Sequence, residues 1–200
     1  MFSHVEEDHC GRVAQVKKEI AYIASVRDKA VELSVQFARG EIPKRVTHND
    51  TKCNNVLFDK ATKEPIVVID LDTIMPDMSM YDFAYAVRFF ANTALEDEPD
   101  TSKAFFDTAK FRAFARGFIR ETYDSLESIE IRNLVKATFS ITIELAARFL
   151  DDYITGDLYF RCAYPKHNLV RTRCQLKLDE DIERKLDELE WIVSDVINNQ

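Results

Sequence analysis

From residue 13 to residue 37 apolar side chains recur at helical spacing, at Val16, Ile20, Ile23, Val26, Ala30, Leu33 and Phe37, with Lys, Glu and Arg on the other face. This predicts one long amphipathic helix, stopped by Gly40 and Pro43. The rhythm then changes. Residues 55–59 and 66–70 read as two strands, the second a β-branched run of the kind that lies buried, and the polar stretch 60–65 ending in Pro65 joins them as a hairpin. Helical spacing then returns. Phe83, Ala84, Val87 and Phe90 mark a helix over 81–93, and an aromatic and basic stripe from Phe105 to Ile119 marks another over 105–123. A charged, proline-containing linker, 95–100, lies between them. Ser125 sits in the N-cap region of a helix over 129–150 that turns Leu134, Thr138, Ile141, Leu145 and Phe149 toward the core. The last helix, 180–197, aligns Ile182, Leu186, Leu189, Val193 and Val196 and predicts the i,i+4 ion pairs Glu180–Arg184 and Asp181–Lys185. The expected fold class is α+β, mostly α, with one small β-hairpin in a single domain spanning residues 1–200.

The chemistry concentrates at the hairpin. His48, Asp50, Asn55, Asp70 and Asp72 fall within one short piece of chain. If Asp59 pairs with Ile66, antiparallel register sets Asn55 opposite Asp70, on one face and roughly 5 Å apart at Cβ. An amide oxygen and carboxylates gathered at one end suit Mg²⁺, which takes hard oxygen ligands together with substrate phosphates. The spacing H-x-D-x-x-x-x-N is that of a kinase catalytic loop, in which the Asp receives the acceptor hydroxyl and the Asn and a later Asp hold metal. On this template Asp50 is the catalytic base, Asn55 and Asp70 are metal ligands with Asp72 in support, and His48 braces the loop. The plainer account is an Asx-rich turn whose side chains bond local backbone. It leaves the clustering of acids at one end unexplained.

At these residues the chain resembles the aminoglycoside phosphotransferase and choline kinase group of small-molecule kinases. THNDTKCNNVLFD followed by VVIDLDTIMP, then SMYDFAYAVRF, NTALEDE, RFLDDYITGDLYFR and YPKHNLVRTRCQLKL, is similar to the N-acetylhexosamine 1-kinase branch, from about Val46 to about Leu178. The chain departs from many relatives at Ala84-Tyr85, where they carry Gly-Asp. The resemblance implies a protein kinase-like C-terminal lobe, ATP as co-substrate, Mg²⁺, and the anomeric hydroxyl of GlcNAc or GalNAc as acceptor. It also implies sugar contacts at Arg148 and Tyr159. The residues allow this, since Arg offers a planar fork and Tyr a flat face with a polar tip. Without that role, Arg148 is an i,i+4 partner of Glu144 near a helix end. Trp191, the only tryptophan, reads as either a sugar platform or a core residue.

Composition narrows the function classes. A formal net charge of −8 argues against nucleic acid as partner, because a phosphate backbone requires basic patches. No apolar run approaches membrane-spanning length, the acidic start MFSHVEEDH lacks a signal peptide's apolar core, and the four cysteines form no C-x-x-C pair. A cytoplasmic protein with reduced thiols is expected. His4, His9 and Cys10 read as a frayed polar terminus rather than a metal site.

Only four glycines occur, none clustered, and no strand with a V-A-I-K-like lysine precedes the loop. The chain is therefore expected to be the catalytic lobe without its N-terminal nucleotide lobe, and weak or inactive alone. The competing functions are a choline, homoserine or aminoglycoside kinase and, from another class, a non-catalytic binding remnant.

Overall fold

The computed structural model describes residues 1–199. Its centre is one helix, α6 (Leu134–Thr155), numbered in chain order, with sixteen of its twenty-two residues buried. A helix apolar on nearly every side is stable only when other elements surround it. Around it pack α2 (Lys17–Ala38), α3 (Ser79–Phe90) and α7 (His167–Arg184). The short α1 (Phe2–Glu7) docks on α6, and α5 (Ser128–Arg132) leads into it through a break at Asn133. Farther out, α4 (Thr108–Thr122) packs against α8 (Leu186–Asn198). The expected stripe Leu134, Thr138, Ile141, Leu145 and Phe149 is buried throughout.

Local chemistry sets the ends. Gly40 adopts φ 76° and donates its N–H to Phe37, the left-handed stop that ends α2. Asp107 caps α4 by accepting from the N–H groups of Ala109 and Lys110, at 2.9 and 3.0 Å. Phe83 of α3 meets Phe111, Phe114 and Phe118 of α4 at centroid separations of 5.7, 5.4 and 5.2 Å, which welds the two helices together.

The last helix of the sequence reading is two helices, α7 and α8, divided at Lys185. What α7 buries is mixed, with Asn168, Thr172, Gln175 and Asp179 inaccessible beside Leu169, Leu176, Leu178 and Ile182, which blurs the hydrophobic spacing. Of the two expected ion pairs, Asp181–Lys185 forms at 2.7 Å. Arg184 turns instead to Asp181, and Glu180 takes Lys177 at 2.8 Å. The N-terminus is docked, with the His4 ring 2.7 Å from Asp151.

Two ribbons complete the fold. β1 (Arg45–Thr47) pairs antiparallel with β4 (Met75–Asp77), an unpredicted pairing that closes the base of the chemical segment. β2 (Val56–Phe58) pairs with β3 (Pro65–Val68) as the hairpin. The expected register is corrected by one residue, because Val56 faces Val68 and Leu57 faces Val67, with a further slip before Phe58–Pro65. The cause lies at both ends. Asp59 leaves the ladder to accept the Ala61 and Thr62 N–H groups, and Asn55 belongs to the 3₁₀ turn Cys53–Asn55. Asn55 therefore lies level with Ile69, whose N–H it accepts at 2.9 Å, and not with Asp70. The expectation of a buried second strand is also corrected. Ile66, Val67 and Val68 are 65, 47 and 49% exposed, because among the described residues the ribbon's extensive contacts are between its own two strands.

Candidate active site

The loop between β1 and β2 carries His48, Asn49 and Asp50, and its shape is held by side chains bonding backbone. Asp82, in the first turn of α3, accepts the N–H of His48 at 2.9 Å and of Asn49 at 2.8 Å, while Thr51 donates to the Asp82 carbonyl. Burial pushes the Asp82 carboxyl above its usual range, and the two backbone donors only partly offset this. From the other side Thr73 donates its hydroxyl to the His48 carbonyl at 2.6 Å. Asn49 sits at φ 63°, a left-handed conformation that Asn tolerates, and its amide donates to the Thr73 carbonyl. β1 is fixed to the helices by Arg45, whose guanidinium takes both oxygens of the fully buried Glu130, and Ser79 adds a third bond at 2.5 Å. Burial would raise the Glu130 pKa, yet Arg45, Ser79 and the Glu127 N–H together hold it below the usual range.

His48 spans the loop. Its Nδ1 lies 3.3 Å from the Asp50 N–H and its Nε2 lies 3.0 Å from the Ile69 carbonyl. A backbone N–H can only donate and a carbonyl can only accept, so the ring is neutral with its proton on Nε2. The ring therefore ties the loop to the end of the hairpin.

Asp50 and Asn55 meet directly. The Asn55 amide nitrogen donates to the Asp50 carbonyl at 2.8 Å and to Asp50 Oδ2 at 2.9 Å. Both partners are acceptors, which fixes the amide orientation and leaves Asn55 Oδ1 as a free hard donor. Lys52 Nζ lies 2.7 Å from the same Asp50 oxygen. Asp50 Oδ1 takes no hydrogen bond among the described residues, leaving one oxygen open.

Asp70 follows Ile69, the residue bonded to the loop through its N–H to Asn55 and its carbonyl to His48. At φ 65° it turns the chain from the strand into the 3₁₀ turn Leu71–Thr73, which carries Asp72. Both carboxylates are exposed, and among the described residues neither accepts a hydrogen bond from the Asn55 amide, which goes to Asp50. Among the described residues, no three His, Cys, Asp or Glu side chains converge on a metal position. The donor set of one amide oxygen and exposed carboxylates on a backbone-locked turn nevertheless fits Mg²⁺, which completes its shell with waters and phosphates.

Beside the loop opens a cavity of about 620 Å³, bounded by α2, α3 and α6, with Asn49 and Thr73 in its wall. This is an ordinary size for a small-molecule site. Arg148 lines it, 3.6 Å from Glu144, with its guanidinium 5.8 Å from the Tyr159 ring and 5.6 Å from Phe160. Tyr159 is not in the wall. It is 74% exposed and sits behind Arg148, in a loop organised by Asp152, which accepts the N–H groups of Leu158, Tyr159 and Phe160. Trp191 lies elsewhere, in a groove between α4 and α8, with Arg112 stacked 5.0 Å from its ring.

Sequence reasoning missed Asp82, Asn49 and Lys52. The last two stand inside the motif, while Asp82 looks like any acid in a helix's first turn. The elements together define a class, a helical lobe that presents a pinned His-x-Asp loop and an acid-bearing hairpin beside a small-molecule cavity, as phosphotransferases do. A family model described as "Phosphotransferase enzyme family" (APH) matches residues 4–123. The chain belongs to this family, whose members are kinase-type enzymes. The match takes in the loop, the hairpin, α3 and α4, and ends before α6, which carries the far wall of the cavity.

Proposed function

We propose that the chain is the catalytic lobe of an ATP-dependent kinase that phosphorylates the anomeric hydroxyl of an N-acetylhexosamine. One observation carries the reading. Asp50 follows Asn49 of the cavity wall, with one carboxylate oxygen held by Asn55 and Lys52 and the other open. Asp50 does not itself line the cavity, so an acceptor hydroxyl would reach past Asn49 to donate to the open oxygen. As the acceptor oxygen bonds to the γ-phosphorus and the bond to the β-bridging oxygen breaks, its proton passes to Asp50 and ADP leaves. Asn55 Oδ1 and Asp70, with Asp72 in support, would hold Mg²⁺, which when bound neutralises phosphate charge. His48 braces the loop, and Lys52 keeps a positive charge beside the base. Arg148 meets the acetamido or hydroxyl groups of the sugar, and Tyr159 supports it from behind.

The acceptor assignment rests on the resemblance of the strings around Arg148 and Tyr159. The apolar hairpin supports a further element of the reading, that a nucleotide-binding half covers Ile66 and Val68, which share one face and are about half exposed or more. The test is a panel of sugar and alcohol acceptors assayed with ATP and Mg²⁺, alongside Asp50→Asn. The variant should lose about 10²–10⁴-fold in turnover with an unchanged melting midpoint. Near-normal turnover would remove Asp50 from its role, and phosphorylation of choline or an aminoglycoside in preference to the sugars would replace the acceptor.

A further inference from the structure

The cavity has a polar wall that phosphoryl transfer leaves unused. One face of α6 presents Ser140, Glu144 and Arg148 to it at successive turns. Ser140 is 3% exposed, and its hydroxyl oxygen has no hydrogen-bond partner among the described residues. Buried hydroxyls are nearly always paired, so an orphan in the wall of a cavity is an opening for a ligand. Glu144 stands one turn along, its side chain 44% exposed, with protein around it pushing its pKa up against the opposing pull of Arg148 and Tyr85. Across the cavity the Tyr85 hydroxyl of α3 is 3.4 Å from Glu144 Oε2, and Arg148 is 3.6 Å from Oε1. Both separations exceed a well-formed bond, so the three groups are loosely engaged and have capacity for an inserted hydroxyl.

We infer that Ser140, Glu144 and Tyr85 form the acceptor-discriminating wall of this cavity and select an uncharged, polyhydroxylated ring over a cationic acceptor. This rests on the proposed phosphotransferase reading. The choice of a neutral ligand follows from charge and shape. The arginines Arg27 and Arg148 offset two of the three lining carboxylates, Asp77, Glu144 and Asp151, with Glu144 facing Arg148 at 3.6 Å, so a polycation finds about one unbalanced negative charge in the wall. Ile23, Ile141 and the Tyr81 ring give the remainder an apolar surface for a ring face.

The test is calorimetric titration of the full chain with N-acetylglucosamine, N-acetylgalactosamine, glucose, choline and an aminoglycoside, with MgATP titrated separately. The neutral sugars should bind, and the two cations should bind more weakly. Glu144→Gln and Tyr85→Phe should each weaken sugar affinity about tenfold, Ser140→Ala less, and all three should alter the preference between the epimeric N-acetyl sugars while leaving the melting midpoint in place. A purely structural role would not move epimer preference. Unchanged affinities in the variants, stronger binding of either cation, or no binding of any neutral sugar would each overturn the inference. Binding of glucose but neither N-acetyl sugar, with Glu144 still required, would uphold it and sink the N-acetylhexosamine assignment. Absence of MgATP binding to this chain would bear only on where the nucleotide is held, and leaves the inference to the sugar titrations.

Discussion

The hairpin segment and the helical body follow opposite rules. The body buries Phe83, Phe111, Leu134 and Ile141 almost completely and hides even polar side chains such as Asp179 and Gln175. The segment from β1 to β4, which bears the candidate chemistry, leaves Val46, Leu57, Ile66 and Leu71 half exposed or nearly so. Packing fixes the body. Hydrogen bonds from Asp82, Thr73, His48 and the Glu130–Arg45 pair fix the segment. Directed bonds hold the segment's geometry while Asp70 and Asp72 stay exposed, and Asn55 alone of the group is buried.

The comparison breaks first at its packed end. Phe83→Ala removes a ring that touches three others, and should cost about 3–5 kcal/mol of stability in denaturant unfolding. A loss below 1 kcal/mol would mean that the core is looser than its burial indicates.

Next is the bond network. Asp82→Ala strands the N–H groups of His48 and Asn49 in a half-buried place, a loss of about 1–3 kcal/mol. The change sits on the loop, so turnover or MgATP affinity should fall more steeply than stability. Equal falls in both would make Asp82 an ordinary buried acid. Asp82→Asn, which retains one acceptor oxygen, should recover part of the loss.

Much of the body was legible in the chain. The stripe Leu134 to Phe149 has the spacing of a buried helix face and became one, whereas of the loop that H-x-D-x-x-x-x-N marked the cavity wall takes only Asn49. The rest was illegible for physical reasons. Asp59 could pair in the ladder or cap its own turn, and the cap shifted the register by a residue. A β-branched run looks the same whether a strand is buried or merely apolar, so 66–70 gave no warning of its exposure. α7 hides Asn168, Thr172, Gln175 and Asp179 among Leu169, Leu176 and Leu178, and the polar positions interrupt its apolar stripe. Asp82 acts across thirty-odd residues of chain, a relation that periodicity does not carry.

A smaller effect tests the body's buried charge. Asp179 is fully buried with Oδ1 unpaired, and Tyr22 donates to Oδ2 at 3.0 Å. Burial raises its folded pKa well above the usual carboxylate value, against the partial pull of the Tyr22 bond. The folded state therefore holds its proton where the unfolded chain has released it. The sign follows from linkage. Stability is unaffected below about pH 4, falls as pH rises from the unfolded pKa toward the folded one, and then levels. Asp179→Asn keeps an acceptor for Tyr22 and removes the charge. It should match the wild type near pH 4 and exceed it by about 1 kcal/mol at neutral pH in melting scans. A gap that does not widen with pH would show that Asp179 is not the source.

The smallest effect belongs to the ribbon and is the sharpest test of the contrast. Ile66 and Val68 alternate onto one face of β3, with Val67 and Leu57 on the other, and neither face is covered. Side chains already in water lose no burial on substitution. Ile66→Thr with Val68→Thr should therefore change unfolding free energy by no more than about 0.5 kcal/mol, β-propensity being kept. If a nucleotide-binding half seats on this face, the same pair should weaken MgATP binding or association with that half, because the apolar area is buried only there. A stability loss of 2 kcal/mol in the chain alone would place these residues in its core. Silence in both measurements would show that the ribbon's apolar face serves neither the chain's stability nor nucleotide binding.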